Sequence, residues 1–262
     1  MMPAASASSL QAATQAAAVR LVLLPGLHGS GELFQPLRQA LPAEFAVQVV
    51  SYPSNERLDY PALVKLVLPQ LPAEGAYVLL GESFSGPVAI EVARQAANPP
   101  LGLVLCCTFA TCPQPSWSRW LQWVPTLPPL HWISPWVLRQ MLFGRWGQTA
   151  QLKALRKALS KAGRGVLYHR LEAVHQVDVR QGLAACDMPI QYWQASDDRL
   201  VPPSAWDCVQ EAAPDAQCVR FDGPHALLQA CPERATQALV AFAGQLGLLH
   251  TPWVDAARSR RS

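Results

Sequence analysis

The stretch LLGESFSGP (residues 79–87) decides how the chain reads. An apolar run, Tyr77 to Leu80, stops there, and a helical pattern, SGPVAIEVARQAA (85–97), begins at once. A strand that turns directly into a helix, with two serines two positions apart at the junction, raises the question of which hydroxyl is chemically exposed.

Outward from that junction, strand and helix signals alternate. RLVLLPG (20–26), FAVQVVSYP (45–53), AYVLLGES (76–83), LGLVLCCTFA (101–110), MPIQYWQAS (188–196) and AQCVRFDG (216–223) read as strands. GELFQPLRQALP (31–42), DYPALVKLVLPQL (59–71), 85–97, about 203–213 and 226–246 read as helices. Asp59 can cap its helix, with Pro61 in the first turn. Several strands are apolar on both faces, which predicts an α/β fold: a mostly parallel sheet of about six strands, flanked by helices.

Residues 113–181 break the alternation. They hold six of the nine tryptophans, Trp117, Trp120, Trp123, Trp132, Trp136 and Trp146, in a proline-rich setting. TAQLKALRKALSKAG (149–163) follows, with Leu152, Leu155 and Leu159 on one helical face and Gly163 able to end it. This segment carries ten Lys/Arg and two Asp/Glu, net +8, whereas the remainder has eleven and sixteen, net −5. A solvated basic face is the plain reading; steering of an anionic partner is the sharper one. The whole-chain charge of +3 does not indicate nucleic acid binding.

Seven cysteines, without CxxC or zinc spacing, argue against a disulfide framework or a metal site, and adjacent Cys106 and Cys107 read as core. No apolar run reaches the ~18–20 residues of a membrane span. Residues 1–19 lack a basic start and a Leu-rich centre, so they read as a mobile tail rather than a signal peptide, and 249–262 as a polar tail. A cytoplasmic location is the expectation.

Gly81-Glu82-Ser83-Phe84-Ser85 resembles the nucleophile elbow, G-x-S-x-G, of the α/β-hydrolase superfamily. With Ser83 as nucleophile, the two small flanking positions are Gly81 and Ser85; serine in the second departs from the strict motif. With Ser85 as nucleophile they would be Ser83 and Pro87, and Pro87 suits a helix's first turn better than a tight elbow. Ser83 is therefore favoured. LLPGLHGSG (23–31) resembles the superfamily's oxyanion loop, which implies backbone N–H donors at Leu27 and Phe84. QASDDRLVPP (194–203) resembles its acid loop. Asp198 fits the D-x-x-V-P spacing, with Asp197 as rival. FDGPHALLQACPE (221–233) resembles its histidine loop, at His225. The order Ser83, Asp198, His225 is that of the superfamily, and the resemblance covers about 20–112 and 182–246.

The resemblance implies a reduced sheet, lacking two N-terminal edge strands, in a core of 20–112 and 182–248, with 113–181 as a helical cap. It is nearest to small capped carboxylesterases and acyl-ester or thioester hydrolases. It implies an acyl-enzyme on Ser83 with no metal or organic cofactor. An acyltransferase using the same residues, or a non-catalytic binding protein on this fold, are the alternatives. A small-molecule acyl ester or thioester is the expected substrate, with His28, Trp117 and Trp120 as candidate contacts. The basic segment 149–163 could meet an acidic acyl-carrier partner or a lipid headgroup.

Overall fold

The computed structural model describes residues 19–113 and 134–249. In chain order the elements are β1 (Val19–Leu24), α1 (Gln35–Ala40), β2 (Phe45–Val49), α2 (Tyr60–Val67), β3 (Tyr77–Glu82), α3 (Gly86–Gln95) and β4 (Gly102–Cys106). There follow α4 (Pro135–Leu142), α5 (Thr149–Lys161), α6 (Arg164–Gln176), α7 (Arg180–Ala184), β5 (Ile190–Asp197), α8 (Ser204–Ala212), β6 (Gln217–Pro224), α9 (Leu227–Ala230) and α10 (Pro232–Gln245). The tails read at 1–19 and 249–262 lie outside the described residues, apart from Val19, which opens β1, and Leu249, half-buried against the core. Trp117, Trp120, Trp123 and Trp132 also lie outside them.

The six strands form one parallel sheet, ordered β2-β1-β3-β4-β5-β6. Side chains alternate across its plane. Val22, Leu24, Leu79, Leu103, Leu105 and Tyr192 join one core with α2, α3, α7 and α8. Leu21, Leu23, Val78, Leu80, Val104 and Trp193 join a second with α1 and α10. Burial on both sides explains why these strands read as unbroken apolar runs.

Several element ends differ from the sequence expectation for local reasons. The helix expected over 31–42 opens with a tight 3-10 turn, Gly31–Phe34. The one expected over 226–246 breaks at Cys231 (φ −132°, ψ 50°) because Pro232 disfavours a helical residue before it. β4 stops at Cys106, since Cys107 turns left-handed (φ 47°) at the sheet edge. Gly163 does not end α5 in a left-handed cap. Its φ is −57°, and its N–H donates to the Ser54 carbonyl at 2.7 Å, where a Cβ would lie 3.0 Å from that oxygen. Asp59 does cap α2, accepting from Ala62 N–H at 2.9 Å.

The helices of 135–176 sit on the sheet's C-terminal edge. Leu138, Phe143, Leu155, Leu159 and Leu167 form a third apolar cluster with Leu33 and Ala226 of the body. Lys153, Arg156, Lys157 and Lys161 are exposed, so α5 turns its charges outward, as its Leu152/Leu155/Leu159 stripe requires.

Candidate active site

Strand ends set the site. β3 runs into a 3-10 turn, Ser83–Ser85, and then α3. Ser83 takes φ +51°, a left-handed conformation that costs a non-glycine residue roughly 1–2 kcal/mol. The neighbours leave no room to relax it. A methyl on Gly81 would lie 2.7 Å from the Ser85 carbonyl oxygen and from Ala89 Cβ. One on Gly86 would lie 2.0 Å from Thr108 Oγ1, which itself donates to the Ser83 carbonyl.

Ser85 behaves differently from Ser83. It has φ −87°, ψ 1°, so its position does not need glycine's left-handed freedom. Its side chain is fully buried, donates to the Pro25 carbonyl and accepts from the Tyr52 hydroxyl at 2.6 Å. It ties the strand-to-helix turn to the loop after β1. Ser83 stays partly exposed, and its Oγ lies 2.8 Å from His225 Nε2.

β5 and β6 bring the other two groups together. A register shift between Ala195 and Asp197 ends their ladder with Asp197 opposite Pro224, so Asp198 and His225 leave adjacent strand ends. His225 Nδ1 lies 2.9 Å from each carboxylate oxygen of Asp198, and both side chains are 5% exposed. Asp198 Oδ1 also accepts the N–H groups of Leu200 (2.9 Å) and Val201 (2.8 Å), and Val201 is itself buried in the core. The D-x-x-V spacing therefore has a mechanical reason: the loop folds onto its own carboxylate.

Asp197 is engaged elsewhere. Its Oδ2 accepts from Trp146 Nε1 at 2.9 Å and pairs with Arg145 at 3.1 Å. Burial disfavours the charged His225 ring, but the Asp198 carboxylate beside it, and Glu82 behind it, raise its pKa above the usual 6.5. With Nδ1–H directed at Asp198, Nε2 is left to accept the Ser83 proton.

The loop after β1 turns at Gly26–Gly29, closed by a 2.9 Å bond from Gly29 N–H to the Gly26 carbonyl. Leu27 and His28 are its central residues, whose N–H groups that bond does not use. Phe84 stands at the first turn of a helical segment, where N–H groups lack intrahelical acceptors, and its ring stacks on Tyr60 at 4.9 Å. His28 is buried, and its Nδ1 accepts from Ser30 N–H at 3.1 Å. Burial and nearby Arg170 lower its pKa to about 4, so it is neutral at pH 7.

Three functional candidates escaped the sequence reading. Glu82 is buried beside the turn, accepts from Gln229 Nε2 at 2.8 Å, and has its pKa raised by burial. Tyr52 holds Ser85. Arg170 is 1% exposed and reaches the loop after β1. One signal for Arg170 was available: it shares a helical face with buried Val166 and Leu167.

An imidazole 2.8 Å from a serine hydroxyl and backed by a carboxylate can take the hydroxyl proton as the oxygen attacks an acyl carbon. Among the described residues, no three His, Cys, Asp or Glu side chains are grouped to hold a metal, and no helix is long and apolar enough to cross a membrane.

No protein-family model matches the chain. A protein named "Putative carbamate hydrolase RutD" from Klebsiella pneumoniae (strain 342) is 29% identical over 227 residues, spanning 79% of this chain and 84% of that protein. The enol-lactonase from Burkholderia xenovorans LB400 superposes with TM-score 0.73 at 18% identity, over 87% of this chain and 92% of that one. This chain has the α/β-hydrolase fold. A thermophilic esterase from Thermogutta terrifontis has TM-score 0.68 at 23% identity, over 87% of this chain and 90% of that one. A hydrolase from Pseudomonas aeruginosa PA01 has TM-score 0.71 at 20% identity, over 87% and 90%. Among the described residues the sheet has six parallel strands flanked by helices, as the sequence leads one to expect.

Proposed function

We propose that this chain is a serine hydrolase that cleaves a carboxylic ester or thioester through an acyl-enzyme on Ser83. The observation that carries the reading is the continuous hydrogen-bond chain from Ser83 Oγ through His225 to Asp198, on a strained turn at the sheet's C-terminal edge. His225 removes the Ser83 proton as Oγ attacks the acyl carbon. The N–H groups of Leu27 and Phe84 receive the oxyanion, an interaction of which one donor is worth about 3–4 kcal/mol. Asp198 holds the imidazole in the required tautomer and stabilises it when charged. His225 then protonates the leaving group, and in the second half-reaction it activates the water that releases the acid. No metal or organic cofactor takes part.

The core, 20–112 and 182–248, carries this machinery, and 113–181 acts as a cap that selects the acyl group. Four ties between the two support that division. Leu142 O accepts from Ala226 N–H beside His225, Arg199 donates to Gln140 O, Trp146 holds Asp197, and Gln151 donates to Gln229 O. The names of similar proteins, carbamate hydrolase, enol-lactonase and esterase, share attack on an acyl carbon, so a carbamate and a lactone belong among the trial substrates.

The test is pre-steady-state hydrolysis of p-nitrophenyl esters and thioesters of increasing acyl length, on wild type and Ser83→Ala. A burst equal to the enzyme concentration, absent in Ser83→Ala, supports the acyl-enzyme. Equal turnover by the two proteins overturns it.

A further inference from the structure

Arg170 is the one charged side chain in the basic insertion segment that the described residues bury completely, at 1% exposure. Its α6 neighbours in sequence face outward or pack on apolar groups, but its guanidinium passes into the body. Nη1 donates to the Leu27 carbonyl at 2.8 Å and Nη2 to the Pro53 carbonyl at 2.9 Å. The cation lies 5.5 Å from the centre of the Tyr52 ring. No carboxylate pairs with it among the described residues, and its Nε–H has no partner.

A buried cation without an anion is a poor stabilising device, since no counter-charge offsets the cost of taking it out of water. Its geometry is informative instead. A planar fork holds two carbonyls from separate segments at fixed directions, whereas an ammonium is a point charge with freely rotating donors and an apolar side chain has none. One of those carbonyls belongs to Leu27, so the bond fixes the Leu27–His28 peptide plane; the Leu27 N–H lies in the preceding plane, whose Gly26 carbonyl accepts from Gly29 N–H, and with both planes held the direction of that N–H is set. The loop is shaped around the guanidinium. Gly29 sits at φ +75°, and a methyl there would lie 2.4 Å from Nη1. Tyr52, under the cation, donates to Ser85, which donates to Pro25. Both ends of the loop are thus held by one network that starts on the helical insertion.

We propose that Arg170 is a positioning residue for the oxyanion site: it holds the Leu27–His28 peptide plane adjoining the one that carries the Leu27 N–H, and so makes the setting of that donor depend on the seating of α6 against the body. The inference rests on the serine-hydrolase reading for its catalytic half and on the loop contacts for its structural half. With α6 seated, Leu27 is locked in place. With α6 displaced, the carbonyl loses its donor and the loop is free to turn the N–H away.

The experiment compares wild type, Arg170→Met, Arg170→Lys and Gly29→Ala, each normalised to titratable serine so that misfolded protein does not count. In Arg170→Met, kcat falls on the order of 10–10²-fold, the cost expected of a small misplacement of a reacting group. Affinity for a trifluoromethyl ketone, whose adduct carries the oxyanion, falls by the same factor, while KM stays within about threefold. Arg170→Lys, which keeps the charge and one bond, recovers part of the loss, and Gly29→Ala reproduces it. Hydrogen exchange of the 25–30 segment is read in parallel and rises in Arg170→Met and Gly29→Ala.

Wild-type kcat and ketone affinity in Arg170→Met, or a rise in KM alone, overturns the proposal. If Arg170→Met does not fold, the same readings on Arg170→Lys and Gly29→Ala decide. An inactive wild type, with exchange still raised in the variants, sinks the hydrolase reading and leaves the structural half standing. Unchanged exchange sinks that half too.

Discussion

Replacing Ser85 by alanine separates the two serines of the GESFS turn by their physical roles. The substitution removes one oxygen from a fully buried side chain. It leaves the Pro25 carbonyl without its donor and the Tyr52 hydroxyl without its acceptor. Each buried group left unpaired costs about 1–3 kcal/mol, and some relaxation reduces the sum, so the expected loss is about 2–4 kcal/mol. For a chain of this size, about 2–4 °C of Tm follows each kcal/mol, which gives a drop of about 5–15 °C. Cβ remains and the backbone at this position is not left-handed, so the turn itself should survive. Thermal unfolding by circular dichroism measures the loss, and labelling with a serine-directed probe reports the chemistry. Ser85→Ala should melt earlier and still be labelled on Ser83. A Tm within about 1 °C of wild type would refute the buried-network argument. Loss of labelling in a folded Ser85→Ala protein would refute the assignment of roles.

Other outcomes follow from the same geometry. Gly81→Ala brings a methyl to 2.7 Å from a backbone oxygen that cannot move aside, so it should cost about 1–3 kcal/mol or more in urea unfolding, whereas Ala89→Gly should not disturb the turn. Asp198→Asn should lower kcat by about 10³–10⁴-fold, and Asp197→Asn by only a few-fold, because Asp197 holds Trp146 and Arg145 rather than the imidazole. The base must be neutral, so kcat/KM should rise with pH through the His225 pKa, with a midpoint above 6.5 that drops in Asp198→Asn. The same raised pKa means that the charged His225 stabilises the fold below its unfolded pKa, and this contribution is lost as pH rises through the folded one.

The fold was largely legible because the central strands β1, β3 and β4 are buried on both faces almost throughout. Val22 and Leu24 pack on one side and Leu21 and Leu23 on the other, so the strand appears as one apolar run. Gly81 was legible too, since a turn this tight admits no side chain there. Asp198 stood out from Asp197 by its distance to Pro202, and the structure supplies the cause in the N–H groups of Leu200 and Val201. What the sequence did not reveal are groups whose roles depend on contacts distant along the chain. Arg170 meets Leu27 and Pro53 across 143 and 117 residues, and Gln229 meets Glu82 across 147. By sequence Arg170 reads as part of a solvated basic face, because charge alone does not distinguish it from Arg156 or Lys157, which are exposed. The break at Pro232 was hidden by a helical pattern that continues on both sides of it.

The central claim is that Ser83 is a nucleophile activated by His225. The most direct test is reaction with a fluorophosphonate, read by intact mass and peptide mapping, on wild type, Ser83→Ala and His225→Ala. The account predicts one adduct per chain on Ser83 in wild type, none in Ser83→Ala, and labelling slowed by orders of magnitude in His225→Ala. An adduct on Ser85, or no adduct on folded wild-type protein, would contradict it.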